Sequence, residues 1–144
     1  MASNFATAMK ALTVEFEKTT AHHVVLSFGS TGKHYAQIKN GAPFDVFMAA
    51  DIERPRLLET QGLAQTDSRM TYARGKLILW TSKSGIDDIK NTLLIGKDFR
   101  HLAVANPKLS PYGLAAQQVM IKLDVWPRLQ SKLVRGENIA QTFQ

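Results

Sequence analysis

The sequence contains no cysteine. That absence excludes disulfides, thiolate nucleophiles, iron–sulfur clusters and cysteine-based zinc sites together. It leaves the compartment open. Long apolar runs are also lacking, and none approaches the ~18 residues of a membrane span. The opening MASNFATAMK has no basic start followed by a long apolar stretch, so no signal peptide is expected within this chain. Blocks of like charge are missing too. The 18 Lys+Arg outnumber the 12 Asp+Glu, giving +6, but the cations are spread along the chain. No basic and aromatic residues interleave as a base-stacking surface would need. A nucleic-acid partner is therefore not expected, and the net charge is assigned to long-range steering of anions.

Catalytic patterns are equally sparse. His22, His23, His34 and His101 show no metal-ligand spacing with each other or with carboxylates. There is no G-x-S-x-G elbow and no serine in a triad context. Neither an enzyme nor a metal site is expected. What remains is a 144-residue chain with 44% apolar and 21% charged residues, the composition of an ordinary globular protein.

Short apolar runs alternate with helical periods. Phe5, Met9, Leu12 and Phe16 share one helical face, with Ser3 or Asn4 as its cap. Val24 to Phe28 reads as a buried strand, followed by the turn Gly29 to Gly32 and a helix from Lys33 to Asn40 that Gly41 ends. Phe44 to Ala50 reads as a second strand. A helix over Ile52 to Gln61 tolerates Pro55 in its first turn and is closed by Gly62. Leu77 to Thr81 reads as a third strand, Ile86 to Leu94 as a helix, and Leu102 to Ala105 as a strand. Ser110 caps a helix with Pro111 at its first position. A short helix covers Val125 to Leu133, Lys132 to Arg135 is extended, and Glu137 and Asn138 open a last helix from Ile139. Strand, turn and helix in repetition predict an α/β fold with a mostly parallel sheet.

One turn resembles a phosphate loop but fails on spacing. Only Ser30 and Thr31 separate Gly29 from Gly32, and His34 follows Lys33. The underlying physics survives, because backbone N–H groups at a helix start, beside small hydroxyl residues, attract an anion. The same chemistry recurs at Ser3 and Asn4, at Ser110 to Gly113, and at Glu137 to Ala140. Each alone is an ordinary cap. In an open α/β sheet, however, ligands sit outside the strand C-terminal ends, where such turns gather. Their donors are mostly neutral, which favours a small oxyanion over a metal cation or a polyphosphate.

These same segments carry a family resemblance. Ala2 to Phe5, LSFGSTGKHYAQIKNGAPFDVFMAAD (Leu26 to Asp51), GKLILW, AVANPKLSPYGLAA (Ala103 to Ala116) and GENIAQT (Gly136 to Thr142) resemble bacterial molybdate-binding proteins. Those are the periplasmic solute-binding components of molybdate ABC transporters. The resemblance runs in order through the chain.

It implies a periplasmic-binding-protein type 2-like fold with two α/β lobes and the oxyanion between them. Residues 1–73 would form part of the first lobe and 74–144 part of the second. Ser3, Asn4, Ser30 and Thr31 would be ligand-facing in the first lobe. Tyr112, with its hydroxyl, and Ile139, with its backbone N–H, would be ligand-facing in the second. The implied ligand is molybdate or tungstate, held by hydrogen bonds, with no cofactor. The implied partner is the membrane permease, and the implied location is the periplasm. Family members also carry a strand before the Ser-Asn turn and a long segment after GENIAQT. The chain is thus expected to be truncated at both ends, with both lobes incomplete. Exposed sheet edges are then expected to drive homo-oligomer formation, with loss of transport function or a basic interaction role as the alternatives.

Overall fold

In a computed structural model, the structure describes residues 1–84, 88 and 99–144. A 3-10 turn over Ser3–Phe5 leads into helix α1, Ala6–Thr19. Helix α2 spans Thr31–Lys39 and α3 spans Glu53–Thr60. Strand β1, Leu102–Ala105, is followed by α4, Pro111–Lys122, and α5, Trp126–Leu129. A second 3-10 turn, Gln130–Lys132, then leads to strand β2, Leu133–Gly136, and to α6, Ile139–Phe143. Apart from Asp88, the expected helix over Ile86 to Leu94 lies outside the described residues.

The two strands form the one sheet among the described residues. They pair in parallel, with Leu102 opposite Leu133 and Ala105 opposite Gly136. A parallel pair needs a crossover, supplied here by α4 and α5. The core lies beneath them. Val104, Met120, Val125 and Leu129 are buried, with Leu129 at 0% exposure, and Leu79, Phe99, Leu102 and Trp126 pack around them. Helix α4 reaches this core because Gly113 lets it approach the end of β1. A Cβ on Gly113 would lie 2.0 Å from the Ala105 carbonyl oxygen.

The segments read as strands over Val24 to Phe28, Phe44 to Ala50 and Leu77 to Thr81 form no ladder among the described residues. A strand is defined by its hydrogen-bonded neighbours, and apolar runs alone do not provide them. Val25, Val46 and Ile78 are accordingly 86%, 77% and 78% exposed. Met1 and Ala2 supply the pairing that exists in this region. Ala2 makes an isolated parallel bridge to Gly29, the Gly29 N–H donates to Met1 O at 3.0 Å, and the Ala2 N–H donates to Met48 O at 3.3 Å. Helix α1 forms where its periodicity predicts, yet none of its residues is buried.

Two caps differ from expectation. Phe5, not Ser3 or Asn4, occupies the N-cap of α1, and no side chain caps that helix. Ser110 occupies the N-cap of α4 but makes no side-chain cap bond. Ser30, in contrast, caps α2 by accepting from the Lys33 N–H at 3.3 Å.

His34 ties the first segments together. Its Nδ1 lies 3.1 Å from Ser30 O, a carbonyl that can only accept, so Nδ1 carries the proton. Nε2 is then the acceptor, 3.2 Å from Ser27 Oγ and 3.5 Å from the Met1 amine. Burial holds the imidazole below its ordinary value of 6.5, helped by the positive charges of Met1 and Lys33 and opposed by the bond to Ser30. The native state therefore disfavours the imidazolium. Its contribution to stability is present above the unfolded value and lost as pH falls through the lowered folded value.

Two outcomes follow from this packing. Gly113→Ala is expected to cost about 1–3 kcal/mol in urea unfolding through overpacking against β1, and an unchanged midpoint would contradict that contact. The native unfolding midpoint is expected to fall as pH drops from about 7 to about 5. A His34→Gln chain, less stable at neutral pH, should lose less over that interval. Equal slopes for the two chains would remove His34 as the cause.

Candidate functional site

The turns that sequence reading singles out meet around one small cavity of about 10 Å³. Parallel pairing brings two of them side by side. β1 and β2 run in the same direction, so the turns after Ala105 and after Gly136 emerge at the same end. The Asn106 N–H donates to Gly136 O at 2.7 Å and extends the ladder by one bond. Ser110, Pro111 and Tyr112 thus come close to Asn138 and Ile139, and all five residues line the cavity.

The opposite wall comes from the first 50 residues. Ala2, Ser3, Gly29, Ser30, Thr31 and Ala50 line it. Thr31 is the first residue of α2 and is 1% exposed. Its hydroxyl accepts from the Ala50 N–H at 3.1 Å, which leaves the hydroxyl proton to donate. Thr31 and Ile139 both open helices, so their N–H groups have no intrahelical acceptor. Ser30 and Ser110 are each 3% exposed.

Polar side chains join the two walls directly. The Ser3 hydroxyl donates to Asn138 Oδ1 at 3.2 Å and accepts from the Ala140 N–H at 3.3 Å. Asn4 Nδ2 donates to the Tyr112 hydroxyl at 2.7 Å. Asn138 Oδ1 also caps α6 by accepting from the Gln141 N–H at 3.0 Å. These bridges are why Ser3 and Asn4 leave the start of α1 uncapped: their polar atoms are committed across the cavity.

Of the six candidate residues, Ser3, Ser30, Thr31, Tyr112 and Ile139 line the cavity, and Asn4 reaches it through Tyr112. The structure adds Asn138, Ala50 and Ser110, which were not among the candidates. Asn138 stands in the GEN turn and Ser110 before Pro111, two turns whose sequence suits an anion, although neither residue was expected to face the ligand. Ala50 carries no chemical signal, because it contributes its backbone. A space of about 10 Å³ holds at most one water molecule, so any larger ligand requires the walls to separate. Carboxylates are absent from the lining, and the donors facing it are hydroxyls and N–H groups. Hydroxyl and N–H donors of this kind can stabilise an oxyanion. Among the described residues, no group of three His, Asp or Glu is placed to hold a metal ion.

Comparison with known proteins agrees with this architecture. Residues 1–144 match the family model of bacterial extracellular solute-binding proteins. The molybdate-binding protein ModA of Azotobacter vinelandii is 50% identical over 144 residues, 100% of this chain and 57% of that protein. ModA of Rhodobacter capsulatus is 42% identical over 144 residues, again 57% of its length. The solved Azotobacter vinelandii periplasmic molybdate-binding protein superposes with a TM-score of 0.91 at 44% identity, covering 99% of this chain and 62% of that one. The chain thus spans a little over half the length of the relatives it matches. The likeness gives it the α/β architecture of the type 2 periplasmic-binding fold. Solute-binding proteins are not enzymes. By sequence along its whole length and by structure, the chain belongs to the bacterial extracellular solute-binding protein family.

Proposed function

We propose that the chain binds the tetrahedral oxyanion molybdate, or tungstate, for delivery to the membrane permease of an ABC transporter in the periplasm. One observation carries this reading: hydroxyl and N–H donors from turns distant in sequence converge on a single cavity that carboxylates do not line. The relatives' names supply the ligand class. Ser3, Asn4, Ser30 and Thr31 form one side of the site, and Tyr112 and the Ile139 N–H form the other. Residues 1–73 and 74–144 correspond to the two lobes, each a part of the complete unit. The anion's charge is balanced by helix-start dipoles and aligned donors, not by a buried cation. The nearby Lys33 is already paired with Glu137 at 3.1 Å.

Ligand entry exchanges bonds. The Ser3–Asn138 and Asn4–Tyr112 bridges open, and the anion takes the freed donors. An array spaced for a large tetrahedral oxyanion rejects a smaller one, because contraction leaves buried donors unpaired.

Calorimetric titration tests the reading. Molybdate and tungstate are expected to give saturable heats, with sulfate and phosphate much weaker. Tyr112→Phe is expected to weaken molybdate about tenfold to a hundredfold, the value of one hydrogen bond to a charged group. Absence of heat with molybdate would remove the proposal.

A second reading, self-association, is supported by the exposure of Val25, Val46 and Ile78 on segments without ladder partners among the described residues. Unpaired edges bearing β-branched side chains favour pairing with another copy. Light scattering at micromolar concentration should then give a mass above that of one chain. A monomer with a cooperative melt would contradict it.

A further inference from the structure

We infer that the turn over residues 106–109 is a clasp, gripped by the start of α2 and by Arg54, that fastens the two lobes outside the anion cavity and sets how long the ligand stays bound. The inference rests on the two-lobed oxyanion-binding reading above and adds to it residues that do not line the cavity. Three contacts form the clasp. The Gly32 N–H donates to Leu109 O at 2.8 Å. Arg54 Nη2 donates to Lys108 O at 3.3 Å. Lys33 Nζ pairs with Glu137 Oε1 at 3.1 Å. None of these six residues lines the small cavity. Gly32, Lys33, Leu109 and Glu137 instead line a separate open groove of about 630 Å³.

The gripped turn is braced by its own hydrogen bonds. Leu109 and Ser110 both donate their N–H groups to Asn106 O, at 3.0 and 2.8 Å, and the Lys108 N–H donates to Asn106 Oδ1 at 3.0 Å. Asn106 is itself held to the end of β2. The carbonyls of Lys108 and Leu109 are therefore presented to the other lobe as fixed acceptors. Arg54 is fixed as well: its guanidinium pairs with Asp51, whose other carboxylate oxygen accepts the Arg54 N–H at 3.0 Å.

Gly32 carries the argument furthest. Its backbone has an ordinary helical φ, so the position does not require glycine for conformational reasons. Alanine would suit α2 better. A Cβ there, however, would stand 2.8 Å from Leu109 O, 3.1 Å from Leu109 Cα and 3.3 Å from Leu109 C. All three are backbone atoms of a braced turn, so no flexible side chain can give way. Glycine at this position serves the close approach of the second lobe. The small energy of the exposed Lys33–Glu137 pair adds orientation more than strength.

Contacts that fasten the two lobes around a bound ligand govern dissociation more than association. Stopped-flow and calorimetric measurements with molybdate on the native chain, Gly32→Ala, Arg54→Gln and Tyr112→Phe test this. Gly32→Ala is expected to raise the dissociation rate at least about fivefold, with the association rate nearly unchanged. Arg54→Gln should act in the same direction with a smaller rise, and it carries the test if Gly32→Ala does not fold. A native chain that takes up no molybdate overturns the oxyanion reading and the clasp with it. A native chain that binds, weakens with Tyr112→Phe and releases molybdate at its normal rate with Gly32→Ala or, failing that, Arg54→Gln overturns the clasp alone.

Discussion

The parallel pairing of β1 with β2 is the interaction on which the site depends. Antiparallel pairing would send the turns after Ala105 and Gly136 to opposite ends of the sheet. Parallel pairing sends both to one end, with Ala105 opposite Gly136. From there the chain meets α4 through Pro111 and α6 through Asn138. Two packing conditions preserve the arrangement. Gly113 allows α4 to lie against the end of β1, and the buried cluster of Val104, Met120, Val125 and Leu129 holds the crossover in place. The donors of Tyr112 and Ile139 are therefore products of sheet direction before they are products of local sequence.

The facing donors come from a part of the chain with fewer buried apolar residues. There, backbone and polar bonds do much of the positioning. Ala2 bridges to Gly29, His34 links Ser27 to Ser30, and Thr31 receives the Ala50 N–H. Ser3 and Asn4 then reach across to Asn138 and Tyr112. Groups that would recognise an anion thus recognise one another when the cavity is small. Buried donors left without partners are costly, so mutual pairing is the low-energy state of the closed empty site. Under the proposed function, binding would be an exchange of partners, with a net strength smaller than a count of donors suggests. Contacts outside the cavity, such as Gly32 to Leu109, then weigh heavily in the balance.

Much of this was legible in the sequence where the signal is local. The helix starts at Pro111 and Ile139 follow from cap chemistry and from Pro111 at a first helical position, whereas α2 begins at Thr31, two residues before the expected Lys33. The glycine endings at Gly41 and Gly62 both show positive φ, as a helix-closing residue requires. Non-local features were harder to read. The runs at Val24, Phe44 and Leu77 have strand composition, but ladder pairing needs a neighbour that composition does not reveal. Ser3 and Asn4 look like caps because caps are common, and only the fold brings Asn138 and Tyr112 within their reach. Ala50 contributes a backbone group, which no residue type announces. The family resemblance covered that gap for Ser3, Asn4 and Ile139, which local rules alone would leave as routine turn residues.

The central claim is that one oxyanion sits between the Ser3–Thr31 wall and the Tyr112–Ile139 wall. A crystal structure of the chain grown with molybdate, with the metal located by its anomalous scattering, tests it most directly. The account predicts a single strong peak between those walls, within hydrogen-bond reach of the Thr31 and Tyr112 hydroxyls and the Ile139 N–H, with the Asn4–Tyr112 bond opened. A peak at another surface, or an empty site with both bridges intact at saturating molybdate, would contradict it.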